Sequence, residues 1–235
     1  MSGVFITGTD TEVGKTVVCG LLARYLMDQG QRVITQKWIQ TGAQGFSEDL
    51  LAHLSFMGKG RADIEPYASS VCPYLFERPA SAHLAAEYEQ AVIEPIRIKQ
   101  AYHILTEAFD TVLVEGLGGA LVPYSRDALV LDIVTELALP VCVVVHNKLG
   151  AVNHTLLTLE ALRTRGLHCL GLIYNDCPGQ DDFVVQDNPR IIQDITGKSS
   201  LGNVPWLDDH EQLVDAFNTI GQAFHRALNR YIDIG

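Results

Sequence analysis

Val4-Phe5-Ile6-Thr7-Gly8-Thr9-Asp10-Thr11-Glu12-Val13-Gly14-Lys15-Thr16-Val17 is the stretch on which the fold turns. A short apolar run passes into a glycine loop, and the loop opens a long helical pattern starting at Lys15. That order suits a phosphate cradle. Backbone N–H groups and the positive end of the helix macrodipole face an anion, the lysine reaches β/γ-phosphates, and the Thr16 hydroxyl suits a hard cation. The generic phosphate loop has four residues between its glycines. Here five separate Gly8 from Gly14, or else Thr9 stands where the first glycine belongs. Asp10 and Glu12 would repel a polyphosphate unless they face a metal, a hydroxyl or an amine, which hints at a cationic second substrate.

Outward from this loop, β-branched runs alternate with helical patterns along the chain. Strands are expected at Val4–Thr7, Arg32–Lys37, Thr111–Glu115, Val141–His146 and Leu167–Asn175. Helices are expected at Lys15–Gln29, Asp49–Met57, Pro95–Phe109, Ala128–Leu137 and Val152–Arg165. A last one over Glu211–Tyr231 carries Leu213, Phe217, Ile220, Phe224 and Leu228 at helical spacing. This alternation predicts an α/β chain with a mostly parallel sheet, and strands apolar from end to end predict helices on both faces. Residues 61–81, with Pro66, Pro73 and Pro79, read as an excursion. No repeat or linker divides residues 1–235, so one domain is expected.

Composition narrows the function. The chain holds 17 Lys+Arg against 28 Asp+Glu, a net charge of −11. Neither a general nucleic-acid surface nor a polybasic membrane tether is expected from it. The most apolar internal run, Leu139–Val145, is far too short to span a bilayer, and the amino terminus reads as a strand rather than a leader. The five cysteines are odd in number and never spaced C-x-x-C. They read as reduced thiols of a cytoplasmic protein rather than disulfides or a zinc site. None of the eight histidines pairs at i, i+4 with a glutamate as a zinc site requires; His53, His103, His168 and His225 read as ordinary helix or strand positions.

Three further features fall where strands should end, the edge at which open α/β sheets bind ligands. Lys37 leads into Trp38-Ile39-Gln40-Thr41-Gly42. Val114-Glu115-Gly116-Leu117-Gly118-Gly119 sets a carboxylate before a glycine loop, where phosphate-loop proteins hold Mg²⁺. Asn147-Lys148-Leu149-Gly150 is similar to the guanine-reading signature of GTPases but lacks its aspartate, so guanine specificity is not supported. The helix start after it could hold a carboxylate on free N–H groups.

Thr7–Thr16, Lys37 with Thr41-Gly42, Val114–Gly119, Lys148-Leu149-Gly150 with Asn153-His154, Asn175-Asp176 and Gly202-Asn203-Val204-Pro205-Trp206-Leu207 together resemble the dethiobiotin synthetase family. The match runs in order from residue 3 to about residue 212. It implies a three-layer P-loop NTPase fold. The implied reaction is ATP-dependent closure of 7,8-diaminononanoate (7,8-diaminopelargonate) with CO₂ to dethiobiotin, ADP and phosphate, in biotin biosynthesis. By resemblance, Lys37, Lys15 and Thr11 carry the chemistry. Glu12, Val13, Gly14, Lys15, Thr16, Val17, Asp49, Glu115, Gly116, Leu117, Gly118, Asn175, Asp176, Pro205, Trp206, Leu207 and Glu211 form the nucleotide site. Asn175 is assigned to the adenine. Thr16, Asp49 and Glu115 are the implied Mg²⁺ set, with Glu48 an adjacent alternative to Asp49 and Gln212 to Glu211.

Thr41, Gly150, Ala151 and Asn153 are implied to hold the substrate, the last three across a homodimer interface. Two departures stand out. Trp38 replaces the family's usual proline, so its ring is expected to alter the loop or cover the site, and Ser81-Ala82-His83 lacks a family proline. Two other readings stay open: another amide-forming synthetase of the superfamily, or an ATPase switch like the partitioning and septum-positioning proteins. Those proteins carry an early loop lysine, and this loop has no lysine before Lys15.

Overall fold

The structure, a computed structural model, describes residues 2–207 and 209–234. Strand β1 (Ser2–Gly8) leads into helix α1 (Lys15–Asp28), then β2 (Val33–Lys37), β3 (Ile39–Thr41) and α2 (Glu48–Phe56). A 3-10 helix over Arg61–Tyr67 and a short α3 (Ala68–Val71) precede β4 (Tyr74–Phe76), α4 (Ala82–Tyr88) and α5 (Pro95–Ala108). The second half runs β5 (Thr111–Gly119), α6 (Val130–Glu136), β6 (Val141–Asn147) and α7 (Ala151–Thr164). It ends with β7 (Cys169–Asp176), α8 (Asp182–Thr196), β8 (Ser200–Val204) and α9 (His210–Ile234).

Six strands form one parallel sheet in the order β2-β5-β1-β6-β7-β8. Successive residues on a strand point to opposite faces, and the packing follows that period. On one face Val4, Ile6, Leu113, Cys142 and Val144 meet α1 and α9 through Val18, Leu22, Leu26, Phe217 and Phe224. On the other, Phe5, Val112, Val114, Val143 and Val145 meet α5, α6 and α7 through Ile98, Tyr102, Ile133 and Leu162. The result is the three-layer α/β arrangement expected from end-to-end apolar strands. All five apolar residues foreseen along α9, from Leu213 to Leu228, are buried.

β1 lies between β5 and β6, so the loop leaving its carboxyl end is flanked by the ends of both. That position gathers the site residues.

The structure extends the sequence reading in places. β5 runs on to Gly119, and β7 starts at Cys169 rather than Leu167. α8 and β8 were not foreseen. Residues 61–81 do form an excursion, and β4 within it pairs with β3 in a separate two-stranded parallel sheet. No helix among the described residues is long and apolar enough to cross a membrane.

Candidate active site

The loop from Thr9 to Gly14 is shaped by local hydrogen bonds. Thr9 N–H donates to Val144 O at 3.0 Å, tying the loop to β6, and Thr11 N–H donates to Asp10 Oδ1 at 2.7 Å. Glu12 has a φ of 54°, a left-handed conformation uncommon outside glycine. Gly14 stands before α1 with a φ of 93°. A Cβ there would run into the Asn175 amide. Asn175 Nδ2 donates to Val13 O at 3.0 Å, so the end of β7 holds the loop against α1.

Lys15 is 6% exposed and its Nζ donates to Asp10 O at 2.8 Å, folding the amine back onto the loop. Burial, and then the neighbouring Lys37 charge, lower its pKa to about 8. The negative charge of an anion arriving at the loop would offset both effects.

The second lysine closes the far side. Lys37, at the end of β2, is 5% exposed and donates to Glu115 Oε1 at 2.8 Å and Gly116 O at 3.1 Å. It also pairs with Asp49 Oδ2 at 2.7 Å. Burial alone would lower the Lys37 amine, but the Glu115 and Asp49 carboxylates outweigh it and hold the amine above its ordinary value. For Glu115, burial would raise the carboxyl, yet Lys37 and His53 keep it well below the usual carboxylate range.

Asp49 arrives by way of α2. Ser47 caps that helix by accepting from Leu50 N–H at 3.2 Å, and its own hydroxyl donates to Gln40 Oε1 on β3 at 2.7 Å. The first turn is thereby fixed beside Lys37. Glu48, its neighbour, is exposed, so the geometry favours Asp49 of the two. Thr16 Oγ1 lies 3.1 Å from Glu115 Oε1 and 3.4 Å from Asp49 Oδ1, sharing its one proton between them. A hydroxyl and two carboxylates converge, an all-oxygen set that fits a hard cation. No cluster of three or more His, Cys, Asp or Glu that could hold a metal occurs among the described residues. Phosphate oxygens and water would therefore complete the shell, as Mg²⁺ usually requires.

The remaining foreseen residues distribute unevenly. Gly116, Leu117 and Gly118 continue β5 past Glu115, and Gly118 lies against Thr11. At the ends of β6 and β7, Asn147 Nδ2 donates to Asp176 Oδ1 at 2.6 Å, and Asn203 Nδ2 donates to the same carboxylate at 3.2 Å. Asp176 is thus fixed beside Asn175. Pro205, Trp206 and Leu207 follow β8, with Trp206 60% exposed. Val17 lies in the first turn of α1.

Gly150 precedes α7, Ala151 opens it, and Asn153 is exposed within its first turn. Beside them a cavity of about 200 Å³ joins Thr9 and Gly119 to His154 and Leu157 of α7. Thr41 ends β3, on the small sheet. Glu211 shares a cleft with Arg24, Ser55 and Phe56.

Trp38 neither covers the site nor leaves the fold. It is fully buried, its ring centroid 5.4 Å from that of Phe5, and its Nε1–H donates to Gln36 Oε1 at 2.9 Å. Ala82 is buried at the first position of α4, a place where proline is also well tolerated. The residue that the sequence reading missed is His53. It is fully buried with Nε2 2.7 Å from Glu115 Oε2. Its spacing of four from Asp49, one helix face, was the available signal.

A family described as an AAA domain matches residues 2–213. The ATP-dependent dethiobiotin synthetase BioD 2 of Haemophilus influenzae is 45% identical over 183 residues, covering 78% of this chain and 95% of that one. The chain belongs to the ATP-dependent dethiobiotin synthetase family. A second dethiobiotin synthetase, from Chlorobaculum tepidum, is 40% identical over 205 residues, 86% of this chain and 84% of its own. Solved structures extend the likeness in fold alone. The septum site-determining protein MinD of Pyrococcus horikoshii, complexed with Mg-ADP, has a TM-score of 0.58 at 16% identity, covering 98% of this chain and 95% of that one. Cyanothece McdA in an ATP complex has a TM-score of 0.61 at 15% identity, covering 97% and 96%. For this dethiobiotin synthetase family member, then, the solved structures agree on a P-loop NTPase-like α/β fold, and the ligase character comes from the family alone.

Proposed function

We propose that residues 1–235 form one synthetase domain that closes 7,8-diaminononanoate with CO₂ to dethiobiotin, consuming ATP, in biotin biosynthesis. The observation that carries this reading is Lys37 held between Glu115 and Asp49 at the rim of a phosphate loop in a chain of this family. An amine of the substrate adds to CO₂ and loses a proton, giving a carbamate. The carbamate oxygen attacks the γ-phosphorus and ADP leaves. The neighbouring amine then attacks the carbonyl of the carbamic-phosphoric anhydride, expelling phosphate and closing the five-membered urea.

Lys15 would exchange Asp10 O for the β/γ-phosphates, and Lys37 would bridge carbamate and γ-phosphate, both offsetting the charge that moves in transfer. Thr16, Asp49 and Glu115 would hold Mg²⁺, which when bound neutralises phosphate charge. Thr11 and Thr41 would hydrogen-bond the diamine or carbamate, and Glu12 to Val17 with Gly116 to Gly118 would enclose the phosphates. Asn175 would read the adenine beside Asp176, Pro205, Trp206 and Leu207. Glu211, in its cleft with Arg24, would complete the nucleotide contacts.

A homodimer is part of the proposal. Gly150, Ala151 and Asn153 would hold the substrate carboxylate at the interface, and exposed Leu121, Leu149 and Leu157 nearby support an apolar contact there. A cytoplasmic location fits the free thiols, three of them buried. The ATPase-switch reading draws only on fold likeness at low identity and lacks the early loop lysine. The deciding assay incubates the protein with diaminononanoate, bicarbonate and MgATP and detects the cyclic urea by mass. Phosphate release that is indifferent to the diamine would sink the proposal.

A further inference from the structure

We propose that His53 is a positioning residue for the Mg²⁺ set, pinning one oxygen of Glu115 so that only the other faces the phosphate site. This rests on the reading of Thr16, Asp49 and Glu115 as the Mg²⁺ residues. Glu115 divides its two oxygens cleanly. Oε1 accepts from Lys37 Nζ at 2.8 Å and from Thr16 Oγ1 at 3.1 Å, whereas Oε2 meets His53 Nε2 at 2.7 Å. With both sides engaged, the carboxylate cannot rotate about its last torsion without breaking a charge-assisted hydrogen bond. It is therefore presented to a cation through Oε1.

The seat of the imidazole is rigid. His53 is fully buried where α2 crosses α1, and a Cβ on Gly20 would stand 3.2 Å from the His53 Cα. Asp49 lies one turn earlier on α2, so a single helix supplies one cation-facing carboxylate and the group that orients the other. Nδ1 of His53 has no hydrogen-bond partner among the described residues. A proton there would point at no acceptor, which puts the proton on Nε2, donating to Glu115. An apolar residue would fill the same seat without burying an unsatisfied nitrogen, so the histidine has a cost that its hydrogen bond to Glu115 must justify.

The test uses Mn²⁺ as the probe, bound to the complex of the full-length protein with ADP and followed by electron paramagnetic resonance. His53→Leu is expected to raise the Mn²⁺ half-saturation concentration about tenfold or more, the usual scale for losing an outer partner of a metal ligand. ADP affinity without metal should be unchanged, and His53→Gln, which keeps an N–H donor, should recover most of the loss. Wild-type Mn²⁺ affinity in His53→Leu overturns the proposal. Equal weakening of metal-free ADP binding also overturns it, by showing general damage. Should His53→Leu fail to fold, ¹⁵N spectra of histidine-labelled wild-type protein decide: a proton on Nε2 of His53 supports the proposal, and one on Nδ1 overturns it. Neither readout needs diamine turnover, so a failure here is distinct from failure of the synthetase reading.

Discussion

Lys37 Nζ and Glu115 Oε1 form a 2.8 Å ion pair with both side chains almost fully buried. Such a pair is costly to break from one side, because the surviving charge stays buried without its partner. Lys37→Ala is therefore expected to lower stability by about 3 kcal/mol or more, on the scale of a broken buried pair. The same variant should still bind ATP through the loop and Lys15. Its diamine-dependent phosphate release should fall by about a hundredfold or more, the usual loss when a group aimed at developing charge is removed. Calorimetric ATP binding beside a phosphate-release assay separates the two effects, and normal turnover would remove Lys37 from the mechanism.

Trp38 tests the packing behind that lysine. Its indole N–H satisfies Gln36 Oε1, while Gln36 Nε2 donates to Ser70 O at 2.8 Å. Trp38→Phe keeps an aromatic contact with Phe5 but leaves the Gln36 oxygen without its donor, so a loss of about 1–3 kcal/mol is expected. Because the ring lies in the core, the KM for ATP should change little. Chemical denaturation with parallel kinetics checks both, and a large KM change would return Trp38 to the site.

The sheet, its covered faces and the loop after β1 were legible because apolar runs and helical periods are local signals. Other parts depend on contacts that spacing alone does not reveal. β8 is a five-residue strand interrupted by Gly202, and α8 carries Pro189 inside it, so each blurs its own period. β3 and β4 are three residues each and exist by pairing with one another across an excursion. At the site, Lys15, Lys37 and Glu115 could be named from strand and helix ends, whereas Asp49 came only through the family resemblance. Trp38 was read as an obstacle and proved to be core, since whether a side chain turns inward depends on what packs opposite. His53 was passed over for the same reason, although its spacing from Asp49 was visible.

At the opposite edge of the sheet, acid should expose a different pair. Arg32 donates to Asp110 from its guanidinium at 2.6 Å and from its backbone N–H at 2.9 Å, just before β2 and β5 begin to pair. The Arg32 side-chain hydrogen bond, and then its backbone one, push the Asp110 pKa from 3.8 down to about 2. A lowered carboxylate contributes its stabilisation above the unfolded value and loses it as pH falls through the folded one. The melting-temperature gap between wild type and Asp110→Asn should be constant above about pH 5 and close between pH 4 and 2. A gap that persists at pH 2 would mean the ion pair is not its source. Turnover at neutral pH should be untouched, because the pair lies at the amino ends of the strands.

Gly14→Ala should disable the loop by two separable routes. The φ of 93° is one that an L side chain tolerates poorly, and the new methyl would collide with the Asn175 amide that holds Val13 O. Relaxing the collision means moving Asn175, the proposed adenine reader, or opening the loop between Val13 and Lys15. ATP affinity is expected to fall by tenfold or more, about 1.4 kcal/mol at least. Adding Asn175→Ala to Gly14→Ala removes the collision but leaves the backbone strain. The double variant should therefore be less destabilised than the sum of the singles, while ATP affinity stays low because the adenine contact is gone as well. Unfolding curves and ATP titrations of all four proteins complete the cycle, and strict additivity in stability would show that Gly14 and Asn175 do not meet.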